Sequence, residues 1–409
     1  MRIAASFALL ACASACAMSP DDDPGEDLGE LGGKADKITT RNVTLRAHLS
    51  SGAPSHRTFS VTTAEGFRAS IGYSDGAQTR IIISDDSGTL AESPVTWQPT
   101  VVVPPVATPR TLHVVLENTS DAPVAVRLHV ATTEARHLKI ATFNIRWYGI
   151  GGDVDHPAAE TRNPTLKAFV DNNLDDADLI MFEEITDPAM LAAEVVPAGW
   201  TCSTYANATP MHQFVVGCLA PGLVLTHEAD DDDIGYQPLA LGTLRPGVAG
   251  IVRDASTLAP VARIMGVHLK ALPDSTDKRL QQAKILVDRF ASLATRNEQL
   301  PLLVLGDFNA HRAIDTHRDK DDWDLIAGVF DTHPELGLVH VEHDYENTYR
   351  DKEGKAYKLD HMYLGGAKVE GVDVIGPCND AWPADQVAIS KHFDEISDHC
   401  PVVANVVVH

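Results

Sequence analysis

Pro301-Leu302-Leu303-Val304-Leu305-Gly306-Asp307-Phe308-Asn309 is the stretch from which the rest of the chain can be read. A short apolar run bounded by Pro and Gly marks a buried strand. It breaks off at an acid, an aromatic and an amide. Side chains alternate across a strand, so Asp307 and Asn309 can both face one crevice at a strand end, where sheet chemistry commonly sits. Alone, a Gly-Asp pair after a strand is ordinary turn chemistry.

Other strands of the second half end the same way. Asn144 lies near the end of Ala141-Thr142-Phe143-Asn144-Ile145-Arg146-Trp147, and Glu184 ends Leu179-Ile180-Met181-Phe182-Glu183-Glu184. His268 follows Met265-Gly266-Val267, with Lys270 just beyond. Asp360 and His361 lie in Lys358-Leu359-Asp360-His361-Met362, and Asp398 and His399 in Ile396-Ser397-Asp398-His399-Cys400. Each alone has a bland reading as a turn cap, an ion-pair partner or a satisfied structural histidine. Repeated on separate strands, always as acid, amide or imidazole, they form a constellation.

Composition bounds the rest. A chain of 409 residues accommodates two domains, and 44% hydrophobic with 22% charged residues is an ordinary globular balance. A net charge of -24 excludes a broad basic surface for polyanions but not a cation-dependent site, where bound metal reverses the local field. Residues 1–17 read as an export segment: Arg2, the apolar run Ile3 to Ala13, then small residues. The run is too short to span a bilayer. Cys12 and Cys16 each sit where a bacterial lipoprotein is acylated, so lipid anchoring and plain secretion are both open, and no transmembrane helix is expected. Export makes the remaining cysteines a disulfide framework. Three pairings exist for Cys202, Cys218, Cys378 and Cys400. Cys202 with Cys218 flanks a hairpin and Cys378 with Cys400 brackets the loop before the last strand, so this pairing is expected over buried free thiols.

Residues 18–37 are acidic and Gly-rich and read as a disordered spacer. Residues 38–134 hold short alternating β runs separated by turns such as Asp85-Asp86-Ser87-Gly88, which predicts a small all-β sandwich. Thr111 to Val130, with Asn118-Thr119-Ser120-Asp121 between two strands, resembles the last hairpin of prepeptidase-type accessory domains. Substrate targeting and a plain spacer role are both open for this domain. From residue 137 to 409 strands alternate with helices. Strands are expected at Leu138–Trp147, Asp178–Ile185, Gln213–Leu219, Ala262–Leu269, Leu302–Leu305, Tyr357–Leu364 and Pro401–Val408, with the longest helix at Asp277–Thr295. The acidic run Asp230 to Asp233 reads as a solvated loop, with calcium binding as the alternative.

The chemistry that wants this constellation is phosphate-ester hydrolysis, which needs a hard cation, an activated water and stabilisation of spreading negative charge. Carboxylates and an amide oxygen suit magnesium, and a His held by an Asp can steady a phosphoryl oxygen. The ordered set Thr142-Phe143-Asn144, Phe182-Glu183-Glu184, Val267-His268-Leu269, Gly306-Asp307-Phe308-Asn309, Leu359-Asp360-His361 and Ser397-Asp398-His399 resembles the motifs of the endonuclease/exonuclease/phosphatase superfamily, deoxyribonuclease I-like in flavour. Arg279, Gln282, Thr348-Tyr349-Arg350 and Arg245-Pro246 look like secreted members. The resemblance implies a four-layer α/β sandwich. It also implies a metal on Glu184, with Asn144 beside it and Asp398 assisting directly or through water. Magnesium is expected, with manganese or calcium as alternatives. Asp307 would orient or deprotonate the water, Asn309 would hold water or phosphate, and Asp360 would steer His399 onto the phosphoryl group while His268 contacts it from the other side. Glu183 stands where Gln is common, and His361 where an aromatic is common.

These readings lead to an exported, magnesium-dependent phosphoesterase, expected as a monomer, with a phosphodiester in nucleic acid as the first substrate. A phospholipid or inositol phosphate is the rival substrate. A surface-binding protein with an inactive second half is the rival of another class.

Overall fold

A computed structural model describes residues 36–38, 42–49, 55–63, 66–73, 78–93, 95, 100–103, 110–133, 136–149, 158–206, 212–228, 233–294, 300–311, 322–333, 336–342 and 347–408. The expected export segment (1–17), the spacer up to residue 35 and Asp230 to Asp232 lie outside them. Among the described residues strand pairing starts at Asp36, inside the span expected for the spacer.

The first half contains β1 (Asp36–Ile38), β2 (Asn42–Leu49), β3 (Ser55–Thr63), β4 (Gly66–Tyr73), β5 (Thr79–Asp85), β6 (Gly88–Glu92), β7 (Thr100–Val103), β8 (Arg110–Asn118) and β9 (Val124–Thr133). They form one sheet in the order β1-β3-β8-β5-β6 and another in the order β2-β9-β4-β7. Leu112, Val114 and Leu116 of β8 and Val124, Val126 and Leu128 of β9 are buried in a common core. The two strands expected as a hairpin therefore belong to different sheets. The turn between them is a corner, held where Asn118 Nδ2 donates to Ala122 O (2.8 Å).

From Arg136 the elements are β10 (Arg136–Tyr148), α1 (Ala159–Asn173), β11 (Leu179–Ile185), α2 (Pro188–Glu194), β12 (Thr201–Ser203), β13 (Phe214–Leu219), β14 (Leu223–Thr226), β15 (Gly235–Tyr236), β16 (Gly247–Asp254) and β17 (Pro260–His268). They continue with α3 (Thr276–Ala294), β18 (Leu302–Asp307), α4 (Trp323–Phe330), β19 (Leu338–His340), β20 (Tyr349–Arg350), β21 (Ala356–Tyr357), β22 (Asp360–Gly365), β23 (Ala367–Val374), α5 (Gln386–Glu395) and β24 (Val402–Val408). One sheet runs β12-β13-β11-β10-β24-β23 and the other β14-β16-β17-β18-β22-β19. The strand expected over Tyr357–Leu364 is two strands. It breaks at Lys358-Leu359 because the N–H groups of Leu359 and Asp360 turn to the Thr348 hydroxyl, each at 3.0 Å.

Strand alternation sorts the side chains into layers. Leu138 and Ile140, Leu179 and Met181, Ile264, Leu303 and Leu305, Met362 and Leu364, and Val402 to Val408 on alternate positions fill the space between the sheets. The opposite faces meet helices: Ala141, Phe143, Ile180 and Phe182 pack with Leu166 and Val170 of α1 and Leu191 of α2. Met265, Val267, Val304 and Tyr363 pack with Leu286, Val287 and Phe290 of α3 and Ile326 and Phe330 of α4. Helix, sheet, sheet, helix is the four-layer α/β sandwich.

Two glycines let backbones approach. A Cβ on Gly266 would stand 2.2 Å from Met181 Sδ of the facing sheet. One on Gly306, at φ +149°, would stand 1.9 Å from Val267 O of the neighbouring strand. Gly306→Ala combines a forbidden backbone angle with a backbone collision, so a loss of about 4 kcal/mol or more in urea unfolding is expected. A change below about 1 kcal/mol would contradict this close approach.

Candidate active site

Register places the site. β17 and β18 run parallel with His268 opposite Asp307, and β18 and β22 run antiparallel with Asp307 opposite Asp360. His268, Asp307 and Asp360 thus form a row across three strands, each continuing the inward-facing set of its strand. The other sheet presents Asn144 on β10, Glu184 on β11, and Asp398 and His399 on the approach to β24. A break in pairing after Asn144, with Arg146, Trp147 and Glu184 all at positive φ (42°, 46° and 60°), swings Glu184 out of the regular alternation and into the site.

Asp307 is at the centre. Its Oδ1 accepts from the Asn309 N–H at 2.7 Å, the turn that holds Asn309 at φ +52°. Its Oδ2 accepts from Asn144 Nδ2 (3.0 Å) and faces His268 Nε2 (3.5 Å) and His399 Nε2 (3.9 Å). Asn309 Nδ2 donates to Leu269 O at 3.3 Å, which anchors it beside His268. His399 Nδ1 meets Asp360 Oδ2 at 2.8 Å. Thr348 bridges the two partners: its hydroxyl accepts from the Asp360 N–H and its carbonyl accepts from the Cys400 N–H at 2.8 Å. Ser397 adds a second tie, donating to Asn144 O (2.7 Å) and accepting from the His399 N–H (3.1 Å).

The electrostatics follow from burial and partners. Burial, then the Asp360 charge, raise the Asp307 carboxyl to about 7, against the pull of His399. Burial alone would push His399 down, but the charge and hydrogen bond of Asp360, with Asp307 and Asp398, raise it well above 6.5, so it stands as an imidazolium. His268 is driven well below its usual value by burial and by the Arg245 charge, and is a neutral imidazole. Glu183 is fully buried, accepts from Thr142 Oγ1 at 2.7 Å, and is raised well above the carboxylate range by burial and Asp360. A protonated Glu183 is close in shape and hydrogen bonding to the Gln expected there.

Glu184 and Asp398 fit a cation. Burial first, then the Asp398 charge, raise Glu184, so the two carboxylates repel and a bound cation would relieve both. Glu184 Oε2 accepts from the Trp147 N–H (3.1 Å), which leaves Oε1 towards the site. Asn144 donates its amide to Glu184 Oε1 (3.3 Å) while its Oδ1 takes the Arg146 N–H (2.9 Å), so a metal ligand role for it needs the carboxamide turned over. Oxygen and nitrogen atoms of Asp307, Asp360 and His399 also lie within 4.8 Å of one another. Within that group Asp360 Oδ2 and His399 Nδ1 are engaged in their mutual hydrogen bond.

The structure brings all eight expected residues to one end of the inter-sheet space and adds others. Arg245 donates to Gln213 Oε1 and to Leu269 O (3.0 Å), with its charge on Glu184. Arg146, 6% exposed, lies over the Phe393 ring at 3.9 Å, and its three guanidinium nitrogens have no hydrogen-bond acceptor. Two residues after Asn144, Arg146 reads from sequence as one more strand residue. Its signal is the positive φ that turns it out of the strand. Arg279 and Gln282 hold the segment after His268, donating to Lys270 O (2.7 Å) and accepting from the Lys270 N–H (2.9 Å). Both expected disulfides are formed: Cys202–Cys218 joins directly opposed residues of β12 and β13, and Cys378–Cys400 anchors the residue next to His399.

Two outcomes follow. Folded Asp307 keeps a proton that the unfolded chain releases near pH 4, so its ionisation costs stability as pH rises from there through about 7. In EDTA, Asp307→Asn should raise stability above pH 7 by about 1–3 kcal/mol and change it little at pH 4. Equal shifts at both pH values in thermal melts would reject the raised carboxyl. Thr348→Val leaves two buried N–H groups unmet, at about 1–3 kcal/mol each, and should lower the His399 imidazole titration seen by NMR, while Thr348→Ser keeps it. An unchanged His399 titration in the valine variant would remove Thr348 from the dyad's support.

No family model matches the chain, and no curated protein matches it in sequence. Among solved structures, an endonuclease/exonuclease/phosphatase family protein from Bacteroides thetaiotaomicron aligns at TM-score 0.48 and 16% identity, over 68% of this chain and 100% of that one. Mannosyl-6-phosphatase from the same organism aligns at 0.46 and 16%, over 66% and 99%. ANGEL2, a 2',3'-cyclic phosphatase, aligns at 0.46 and 17%, over 67% and 96%. All three alignments lie at 16–17% identity and TM-scores below 0.5.

Proposed function

We propose that the chain is a divalent-metal-dependent phosphoesterase, with a phosphodiester in nucleic acid as its first substrate class. The observation that carries this reading is the buried Asp307 carboxyl, faced within 3.9 Å by Asn144, His268 and His399. A carboxyl near neutrality beside an imidazolium is suited to proton transfer at a phosphoryl centre.

Glu184 and Asp398, with Asn144, would hold magnesium, or manganese or calcium in its place, which draws electrons from the phosphoryl oxygens. Asp307 takes the proton of the attacking water, held in line by Asn309. As the new P–O bond forms and the ester P–O bond breaks, His399 steadies the spreading negative charge from its Asp360-bound position. Neutral His268 donates to a phosphate oxygen from the opposite side. The guanidinium of Arg146, which needs acceptors, suits a further phosphate oxygen.

Export completes the proposal. Residues 1–17 are the targeting segment, residues 18–37 the spacer, and residues 38–134 and 137–409 the accessory and catalytic domains. The two disulfides suit an oxidising compartment, with secretion or an N-terminal lipid anchor at the envelope. Among the described residues no helix is long and apolar enough to cross a membrane. A monomer is the expected state.

A substrate panel tests the reading: plasmid DNA, RNA, a bis-phosphodiester dye, sphingomyelin and inositol phosphates, each with magnesium, calcium or EDTA. DNA or dye turnover abolished by EDTA, and reduced about 10²–10⁴-fold in Asp307→Ala and His399→Ala, is expected. Turnover that survives EDTA or the Asp307→Ala change would overturn the site assignment. Inertness to the whole panel would favour a binding protein.

A further inference from the structure

Helix α1 carries a residue that its own pattern does not call for. Leu166 and Val170 form its buried stripe at a spacing of four, and the position that continues the stripe towards the N-terminus is Arg162, 1% exposed. An arginine in the first turn also opposes the helix macrodipole, which favours acids there. Burial first, then the neighbouring Arg146 charge, lower its guanidinium to about 10, so it is still a cation at neutral pH. A cation buried against these local preferences is explained by what it holds. Three main-chain carbonyls accept from it: Nη1 donates to Arg146 O (2.9 Å), and Nη2 to Ile145 O (2.7 Å) and to Ile396 O.

The first two carbonyls belong to the break in β10. Its pairing with β24 ends at Thr142 and its pairing with β11 skips from Asn144 to Tyr148, so Ile145 and Arg146 take no place in either ladder. The third carbonyl follows the last residue of α5, where a helix leaves its acceptors unmet. A planar fork of donors can hold both segments at once, which an ammonium cannot do as well. Each segment leads to one carboxylate of the proposed cation site. Past the first, the Trp147 N–H donates to Glu184 Oε2 at 3.1 Å. Past the other come Ser397, whose hydroxyl donates to Asn144 O at 2.7 Å, and then Asp398. The charge of Arg162 acts the other way. It lies within electrostatic reach of Asp398 and Glu184, both of which favour its charged form, and from there it repels a metal ion. Clamp and charge thus affect cation binding with opposite signs.

We propose that Arg162 is a positioning residue for the cation site: its clamp on the carbonyls of Ile145, Arg146 and Ile396 sets Glu184 against Asp398, and this outweighs the repulsion of its own charge. The inference rests on the cation site proposed above, and it assigns to α1, which supplies no ligand, control over the affinity of that site.

The test is manganese binding to the metal-stripped full chain, read from the electron paramagnetic resonance of the free ion, at a temperature below the melt of each variant in EDTA. Arg162→Met removes clamp and charge together, and an affinity about 10–100-fold weaker than wild type is expected. Equal or tighter binding in Arg162→Met would mean that the charge dominates and would overturn the proposal. A merely structural arginine would lower the EDTA melt and leave the manganese affinity of the folded chain at the wild-type value, which is the same overturning result. If Arg162→Met does not fold, Arg162→Lys decides: it keeps the charge and loses the fork, so weaker binding supports the clamp and unchanged binding rejects it. A wild-type chain that binds no manganese would remove the cation site and this inference with it, whereas wild-type binding matched by the variant removes the inference alone.

Discussion

A carboxylate placed between two apolar sheets is stable only where donors, cations or a proton meet it. Asp307 sits under that constraint, 1% exposed, and the rest of the site is arranged around satisfying it. One oxygen is held by the Asn309 N–H, and the other faces an amide and two imidazoles. Burial first, then the Asp360 charge, outweigh the pull of His399, and the carboxyl rises to about 7. Gly306 is the geometric counterpart of the same constraint. Without a side chain it lets β18 lie against Val267 O, and the strand then delivers Asp307 level with His268 and Asp360.

The remaining difficulty is that neither sheet holds a full set of groups. Asp360 belongs to the sheet that holds β17, β18 and β22, and His399 lies on the approach to β24 of the other sheet. Thr348 is hydrogen-bonded to the backbone on both sides of this divide, and Ser397 joins His399 to Asn144. Cys378–Cys400 fixes the same corner covalently, with Cys378 Sγ 3.4 Å from Thr348 O. The short pair β20–β21, which would be marginal alone, is kept by these attachments.

The layers were legible in the sequence because apolar runs of β-formers ended in polar residues, and an inward-facing series such as Leu303, Leu305, Asp307 can be counted by twos. The long helix was legible from its apolar stripe. What escaped had no such local mark. β16 carries Gly247 and Gly250 inside it, and β23 is an edge strand with exposed Lys368 and Glu370, so neither reads as a strand from propensity. Thr348 acts through its backbone and hydroxyl on segments far away in sequence. The split of β21 from β22 and the separation of β8 from β9 are likewise set by partners from elsewhere in the chain. Of the site, the acids, amides and imidazoles were readable by type and place. The guanidinium of Arg146 was not, since its direction depends on a left-handed turn that nothing in Asn144-Ile145-Arg146 announces.

β10 is the first strand of the α/β half, and its residues Arg136 to Thr142 pair with β24, the last strand among the described residues. This central contact joins residues at opposite ends of the unit, so loop closure must be paid before the strands reward it. The β17–β18 and β18–β22 pairs can form while β24 is still free, and with them the Asp307–Asp360 side of the crevice. His399 arrives only when β24 slots between β10 and β23. On this order the two sides of the crevice meet last: a chain can hold most of its sheet structure, and even its Cys202–Cys218 bond, while still lacking the His399 ring opposite Asp307.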